Sequence, residues 1–181
     1  MLVRTMTALW PPPADDEYAP FYARYVRLAP DGPPVDVLAA CLDDVVHLLS
    51  PLGDEQAGHR YAPGKWSVRE VLGHVADAER VFAYRMVRFA RGDATPLPAF
   101  DEQAWMASAG FDRRPLADLL AEFTAVRQAT IALVGSLDEA AIAREGVASG
   151  HRVTVRALYR IIVGHERHHV GILRERYGLN T

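Results

Sequence analysis

The chain has 181 residues, of which half are hydrophobic and about a quarter are charged. That length suffices for one domain with a sizeable core and is short for two. The 20 basic and 23 acidic residues give a formal net charge of −3, which argues against a nucleic-acid-binding tail or an anionic-membrane anchor. The sequence shows neither a bilayer-spanning apolar run nor a signal peptide, so we expect a cytoplasmic protein.

Helical periodicity dominates the sequence, and strand signals are almost absent. We expect residues 1–15 to form an irregular N-terminal arm and residues 16–181 to form a single domain. At the start of that domain, residues 16–28 place aromatic side chains at steps of three and four. This spacing predicts a short amphipathic helix that packs its aromatic face against a larger body.

Four longer helices follow this segment. The first is predicted to begin at Pro34, where the missing N–H costs nothing, and to end at residues 51–53. Cys41, the single cysteine, lies beside its apolar stripe, which favours a buried, unreactive thiol. The second helix begins at a capping box, Ser67 to Glu70, and should run to about residue 91.

The second half of the chain predicts two more long helices separated by irregular connections. We expect a loop over residues 92–114 with one helical turn near residues 101–106, and then a helix over residues 116–134. A short helical piece near 138–144 and a turn at Gly146 and Gly150 precede the last helix, Thr154 to Tyr177, which Gly178 ends. The sequence therefore predicts an all-α protein, a four-helix bundle with an extra short N-terminal helix.

Three histidines lie on apolar helix faces. His165 and His169 are four residues apart, so they share a face of the last helix, and His74 occupies a comparable place on the second helix. A single buried histidine is usually a hydrogen-bonded core residue, because an imidazole needs both a donor and an acceptor partner. Two aligned imidazoles and a third from a facing helix instead suit a divalent metal with open coordination positions, as in catalytic sites.

Residues 165–169 also spell H-E-x-x-H, the helical motif of zinc proteases. Only 12 residues follow His169, with Glu175 as their sole carboxylate besides the chain terminus, and no sheet is predicted that would hold a peptide. We therefore favour a site within a helical bundle. Glu166 is turned by about 100° from His165, which predicts a surface or supporting position, and we expect His168 on the helix surface.

Two arginines lie on core-facing stripes. Arg85 follows His74 by 11 residues, about three helical turns, and Arg127 lies on the stripe of the third helix. Either side chain would serve as an anion-binding group at a pocket, but we expect both to pair with buried carboxylates.

Two segments resemble signatures of the DinB/YfiT-like superfamily. Residues 64–74, Gly-Lys-Trp-Ser-Val-Arg-Glu-Val-Leu-Gly-His, continuing through 78–80, resemble its second-helix signature. Residues 164–169, Gly-His-Glu-Arg-His-His, followed by 172–177, resemble its last-helix signature. The intervening residues 97–101 and 122–127 agree with this, so the resemblance extends over nearly the whole chain from about Asp16.

The resemblance implies a four-helix bundle with a metal site at one end. It implies that His74, His165 and His169 are the three ligands, with zinc or nickel as the usual metal. Members of the superfamily are frequently homodimers. Characterised relatives include transferases and isomerases that use a low-molecular-weight thiol such as bacillithiol or mycothiol.

Three functional hypotheses follow. The first is a metal-dependent thiol S-transferase, in which an external thiol binds the metal as a thiolate. The second is a metal-dependent hydrolase that uses a metal-bound water, and the third is a non-enzymatic, stress-related metal-binding domain. We expect a small-molecule substrate and neither nucleic acid nor membrane as a partner. A basic pocket rim would favour the transferase, and an aromatic, uncharged pocket the hydrolase.

Overall fold

The computed structural model describes residues 10–179, so most of the predicted N-terminal arm, residues 1–9, lies outside the described part. The helices are α1 (Ala23–Leu28), α2 (Pro34–Leu49), α3 (Asp54–Gly58), α4 (Val68–Ala90), α5 (Glu102–Ala109), α6 (Leu116–Gly135), α7 (Glu139–Ile142) and α8 (Val155–Tyr177). The strands are β1 (Glu145–Ala148) and β2 (His151–Thr154), and single 3₁₀ turns occur at Asp15–Glu17, Pro20–Tyr22 and Phe111–Arg113.

The long helices α2, α4, α6 and α8 form the predicted four-helix bundle. Both α2 and α4 pack against α6 and also against α8, so each lies between the same two neighbours. Apolar side chains from all four helices fill the interior along the length of the bundle. Within residues 10–179, no helix combines the length and the apolar character needed to cross a lipid bilayer.

Local signals fix the ends of the two helices that carry the three histidines. Ser67 Oγ accepts a hydrogen bond from Glu70 N at 3.2 Å, while Glu70 Oε2 accepts one from Ser67 N at 2.8 Å. At the start of α8, Thr154 Oγ1 accepts from Ala157 N at 3.2 Å. Gly178, with a φ of +69°, ends that helix in the left-handed conformation. Both helices therefore begin and end where the sequence predicts.

The N-terminal aromatic segment differs from the single helix expected over residues 16–28. Its α-helical part begins at Ala23, because Pro20 interrupts the backbone hydrogen bonds and disfavours a helical residue before it. The packing itself is as expected, since α1 buries Tyr25 against α8. The contact is close: a Cβ atom on Gly164 would lie 1.8 Å from Tyr25 O.

A two-stranded hairpin, β1 and β2, was missed by the sequence analysis. It turns through Ser149 and Gly150, with φ values of +54° and +78°. Each strand has only four residues, and a glycine in β1 breaks any alternation, so no strand signal was visible. Leu97 joins the hairpin: Leu97 N donates to Val147 O at 2.9 Å, and Ser149 N donates to Leu97 O at 3.0 Å.

Candidate metal centre

His74 on α4 meets His165 and His169 on α8, as the sequence predicts. One ring nitrogen from each of the three residues lies within 4.8 Å of the other two. His74 Nε2 and His165 Nε2 are 3.1 Å apart, and the three ring centroids are separated by 4.6 to 4.9 Å. We call these three residues the histidine cluster.

Burial keeps the histidine cluster uncharged. It lowers the pKa of His74 to about 4. Burial, with the neighbouring imidazoles, holds the pKa values of His165 and His169 well below their usual range. Each ring therefore presents a lone pair at neutral pH, which is the state in which histidine binds a metal.

The geometry and chemistry of the cluster fit a divalent transition metal. Two nitrogens bound to one tetrahedral ion at about 2.0–2.1 Å lie about 3.3 Å apart, close to the separation of the Nε2 atoms of His74 and His165. Three imidazoles are typical ligands of zinc, nickel, copper or iron, whereas magnesium and calcium prefer oxygen.

Aromatic side chains surround the cluster. The Trp66 ring lies 4.8 Å from that of His74, and the rings of Tyr25 and Phe82 lie 5.3 Å and 5.9 Å from that of His165. They restrict the orientation of the imidazoles and exclude water from their faces. His168, expected on the surface, is half-buried, with its ring 5.4 Å from that of Tyr25.

Two cavities reach the cluster from different sides. The Arg24 pocket, of about 290 Å³, touches His74 and His165; its remaining lining residues are Phe21, Tyr22, Arg24, Tyr25, Phe82, Ala99, Phe100, Glu102 and Ser149. The Lys65 pocket, of about 370 Å³, touches His169; it is lined also by Tyr61, Gly64, Lys65, Trp66, Val71, Gln103, Ile172 and Tyr177. Both pockets contain several aromatic side chains and a cationic one, and the Arg24 pocket also contains the carboxylate of Glu102.

Of the two positions expected for Glu166, surface or supporting, the surface position is wrong. Glu166 is 1% exposed, because α1, α2 and α4 all pack against α8 and cover residues beyond its histidine face. Glu166 Oε2 lies 2.6 Å from Arg127 Nη1, an ion pair whose angle is poor for a hydrogen bond. Arg127 also donates from Nε and Nη2 to both oxygens of Glu79, at 2.8 and 2.7 Å. We call these three residues the Arg127 network.

The two arginines singled out from the sequence behave differently. Arg127 pairs with buried carboxylates, as predicted. The same prediction is wrong for Arg85, whose Nη2 donates to Pro98 O at 2.8 Å and to Ser149 Oγ at 3.0 Å. Both acceptors belong to irregular segments, and the helical periodicity of the sequence does not predict where those segments lie.

Cys41 is buried in α2, as expected. Burial raises the pKa of its thiol to about 11, so the group stays protonated at neutral pH and is a poor nucleophile. Residues that the sequence analysis did not single out are the aromatic walls and Lys65. Trp66 lies inside the second-helix signature, and its position just before the capping box was the one available hint.

The sequence profile of the DinB superfamily matches residues 38–173. The chain belongs to the DinB superfamily. A Bacillus licheniformis relative, named "putative metal-dependent hydrolase", is 32% identical over 151 residues, which cover 77% of this chain and 84% of that protein. A protein of the same description from Oceanobacillus iheyensis is 33% identical over 58 residues, so the chain matches a third of its length.

The fold resembles that of a solved structure. YfiT from Bacillus subtilis superimposes with a TM-score of 0.71, over 93% of this chain and 94% of that one, at 20% identity. YfiT is described as "a probable metal-dependent hydrolase with an unusual four-helix bundle topology". The predicted DinB/YfiT-type bundle is therefore confirmed.

Proposed function

We propose that this protein is a metal-dependent hydrolase of small esters or amides, with His74, His165 and His169 holding one zinc or nickel ion. The observation that carries this proposal is the histidine cluster itself: three uncharged imidazoles whose nitrogens converge beside two cavities. Relatives named as metal-dependent hydrolases support the reaction class.

A divalent ion in such a site supplies Lewis acidity and lowers the pKa of a coordinated water towards about 7. The residues of the chain shield and position the metal-binding imidazoles. Trp66, Tyr25 and Phe82 fix the imidazoles and keep bulk water from them, so that polar interactions inside the pocket are strengthened. The Arg127 network joins α4, α6 and α8, the helices around the cluster, and keeps His74 and His165 in register.

A thiol S-transferase is the second candidate. The observation in its favour is the cation at each pocket, Arg24 in one and Lys65 in the other, since bacillithiol carries carboxylates. Cys41 is protonated and buried on another helix, so the thiol would be an external cosubstrate.

Metal content tests the ligand assignment. We would measure zinc and nickel by elemental mass spectrometry in untagged protein, in His165→Ala and in His47→Ala, an exposed histidine on α2. We expect about one equivalent in the wild type and in His47→Ala, and less than a tenth in His165→Ala. Absence of metal from the wild type, even after incubation with zinc or nickel, would mean that the histidines are core residues or a vestigial site and would overturn both enzyme hypotheses.

Activity distinguishes the two enzymes. We expect metal-loaded protein to hydrolyse p-nitrophenyl acetate without a thiol, and the metal-stripped protein and His165→Ala to lose this activity. Conjugation of monochlorobimane that requires bacillithiol and the metal, without ester hydrolysis, would overturn the hydrolase in favour of the transferase.

A further inference from the structure

Arg85 differs from the other buried arginines. Of the three that are buried within residues 10–179, Arg127 and Arg160 pair with carboxylates and Arg85 does not. Arg85 is 2% exposed, and its two acceptors, Pro98 O and Ser149 Oγ, are both neutral. A buried guanidinium without an anion is costly, so this cation is one for which a ligand would supply the missing charge.

Arg85 lies directly behind the wall of the Arg24 pocket. Its Cζ atom is 5.9 Å from the ring centroids of both Phe82 and Phe100, which line that pocket, as does Ser149. Burial raises the pKa of Tyr22, another lining residue, while the charge of Arg85 opposes that rise. The charge of Arg85 therefore acts on a residue of the pocket wall.

The same pocket connects Arg85 with the histidine cluster. The Phe82 ring centroid is 5.9 Å from Arg85 Cζ and 5.9 Å from the His165 ring. A small molecule in this pocket therefore contacts both His165 and Ser149, whose Oγ accepts a hydrogen bond from Arg85. The other two charges of the pocket act on the cluster: that of Glu102 on His74 and that of Arg24 on His165. Glu102 makes no ion pair with Arg85 among the described residues.

Three separate segments build the Arg85 end of the pocket. Helix α4 carries Phe82 and Arg85, the strand-like contact of Leu97 positions the residues up to Phe100, and the hairpin turn presents Ser149. Ser149 has a φ of +54° because it and Gly150 form the two-residue turn of the hairpin, so the backbone of the turn fixes where Ser149 lies.

We propose that the substrate carries a carboxylate that binds at the Ser149 end of the Arg24 pocket, where Arg85 lies behind the wall and supplies the positive charge, while the bond that is hydrolysed lies at the histidine cluster. The substrate class is thus a small ester or amide with an apolar body and an anionic end. This inference rests on the proposed function for the reaction, while the binding of the carboxylate is testable without it.

Binding is measured by isothermal titration calorimetry with 4-phenylbutyrate and its uncharged amide, 4-phenylbutyramide. Metal-stripped full-length protein is used, so that the carboxylate cannot bind a metal. We expect the carboxylate to bind at least 10-fold more tightly than the amide, and Arg85→Gln to reduce this preference to less than 2-fold. Arg88→Gln, an arginine of the same helix outside the pocket, is the matched control and should keep the preference.

Equal affinity for the two probes in the wild type overturns the proposal, as does a preference that survives Arg85→Gln and disappears in Arg24→Gln. If Arg85→Gln does not fold, intermolecular NOEs with the wild type decide the question. Contacts from the carboxylate probe to Phe82 and Phe100 support the proposal, and contacts to Tyr61 and Tyr177 in the Lys65 pocket overturn it.

A kinetic comparison separates this inference from the proposed function. Mono-p-nitrophenyl succinate has a terminal carboxylate that p-nitrophenyl butyrate lacks. We expect kcat/KM to be higher for the succinate than for the butyrate in the wild type, and this preference to be absent in Arg85→Gln. Carboxylate-selective binding without hydrolysis of either ester overturns the hydrolase alone. Hydrolysis of both esters with equal kcat/KM overturns the carboxylate specificity alone.

Discussion

The histidine cluster and the Arg127 network lie side by side in the bundle but satisfy their polar atoms in opposite ways. His165 and Glu166 are neighbours on α8, and both are buried. Glu166 faces Arg127, whose three nitrogens contact two carboxylates and Leu38 O. In the histidine cluster, by contrast, the contact between His74 Nε2 and His165 Nε2 joins two of the cluster's own imidazoles. The cluster also opens to two cavities, where a ligand can reach it.

This difference indicates that the Arg127 network stabilises the fold and that the histidine cluster binds a ligand. A network in which one cation bridges two carboxylates holds helices together, and removing the cation leaves buried carboxylates without a partner. A cluster of neutral groups beside a cavity contributes little to folding and keeps its lone pairs for a ligand. The following variants test this division.

The largest expected effect is that of Arg127→Met. It leaves Glu79 and Glu166 buried together without a cation, and we expect a loss of about 3–5 kcal/mol in the free energy of unfolding. Urea denaturation of the metal-free protein measures it. Arg88→Met, on the exposed side of α4, should change this free energy by less than about 0.5 kcal/mol. A similar small loss in Arg127→Met would show that the network does not stabilise the bundle.

Gly164→Ala comes next, because it affects the contact that holds α1 over the cluster. The added Cβ would lie 1.8 Å from Tyr25 O, so α1 must move, at a cost of about 1–3 kcal/mol. Gly171→Ala is the matched control in the same helix. It meets nothing within 4 Å, and its higher helix propensity predicts a gain of up to about 1 kcal/mol. Thermal unfolding would contradict this prediction if both variants gave the same midpoint.

A partly buried ion pair, Glu17 with Arg156, predicts a pH dependence. Burial alone would raise the pKa of Glu17, but hydrogen bonds from Arg156, Ala14 N and Thr154 lower it from 4.5 to about 2. A carboxylate with a lowered pKa stabilises the fold above its unfolded pKa. We expect about 2 kcal/mol to be lost as the pH falls from about 5 to 2.

The measurement for this pair is the free energy of unfolding as a function of pH, compared with that of Glu17→Gln. The difference between the two proteins should shrink between about pH 5 and 2, since the variant lacks the titrating carboxyl. A constant difference over that range would assign the stability to packing around Glu17 and not to its charge.

The smallest expected effect is that of His74→Leu in the metal-free protein. The substitution removes one contact within the cluster and keeps an apolar volume, so the free energy of unfolding should change by no more than about 1 kcal/mol. Urea denaturation measures it, and zinc binding by the same variant should be lost. A loss of unfolding free energy comparable to that of Arg127→Met would show that the histidines belong to the structural core.

The predictable part of this protein is the part that local signals encode. The capping box at Ser67, the glycine after Tyr177 and the four-residue spacing of His165 and His169 act over one or two helical turns, so they are visible in the sequence. They fix where α4 and α8 begin and end and which faces carry histidine. The short hairpin around Ser149 has no such signal, because Leu97, which pairs with it, is 52 residues away.

By itself, the sequence determined the four helices, the bundle and the three histidines that meet in it. The tertiary structure alone decided that Glu166 is buried, that Arg127 is neutralised while Arg85 is not, and that two pockets reach the cluster. The physical reason is that the charge state and exposure of a side chain depend on what packs against it from distant segments. Helical periodicity gives the direction of a side chain but not the partner it meets.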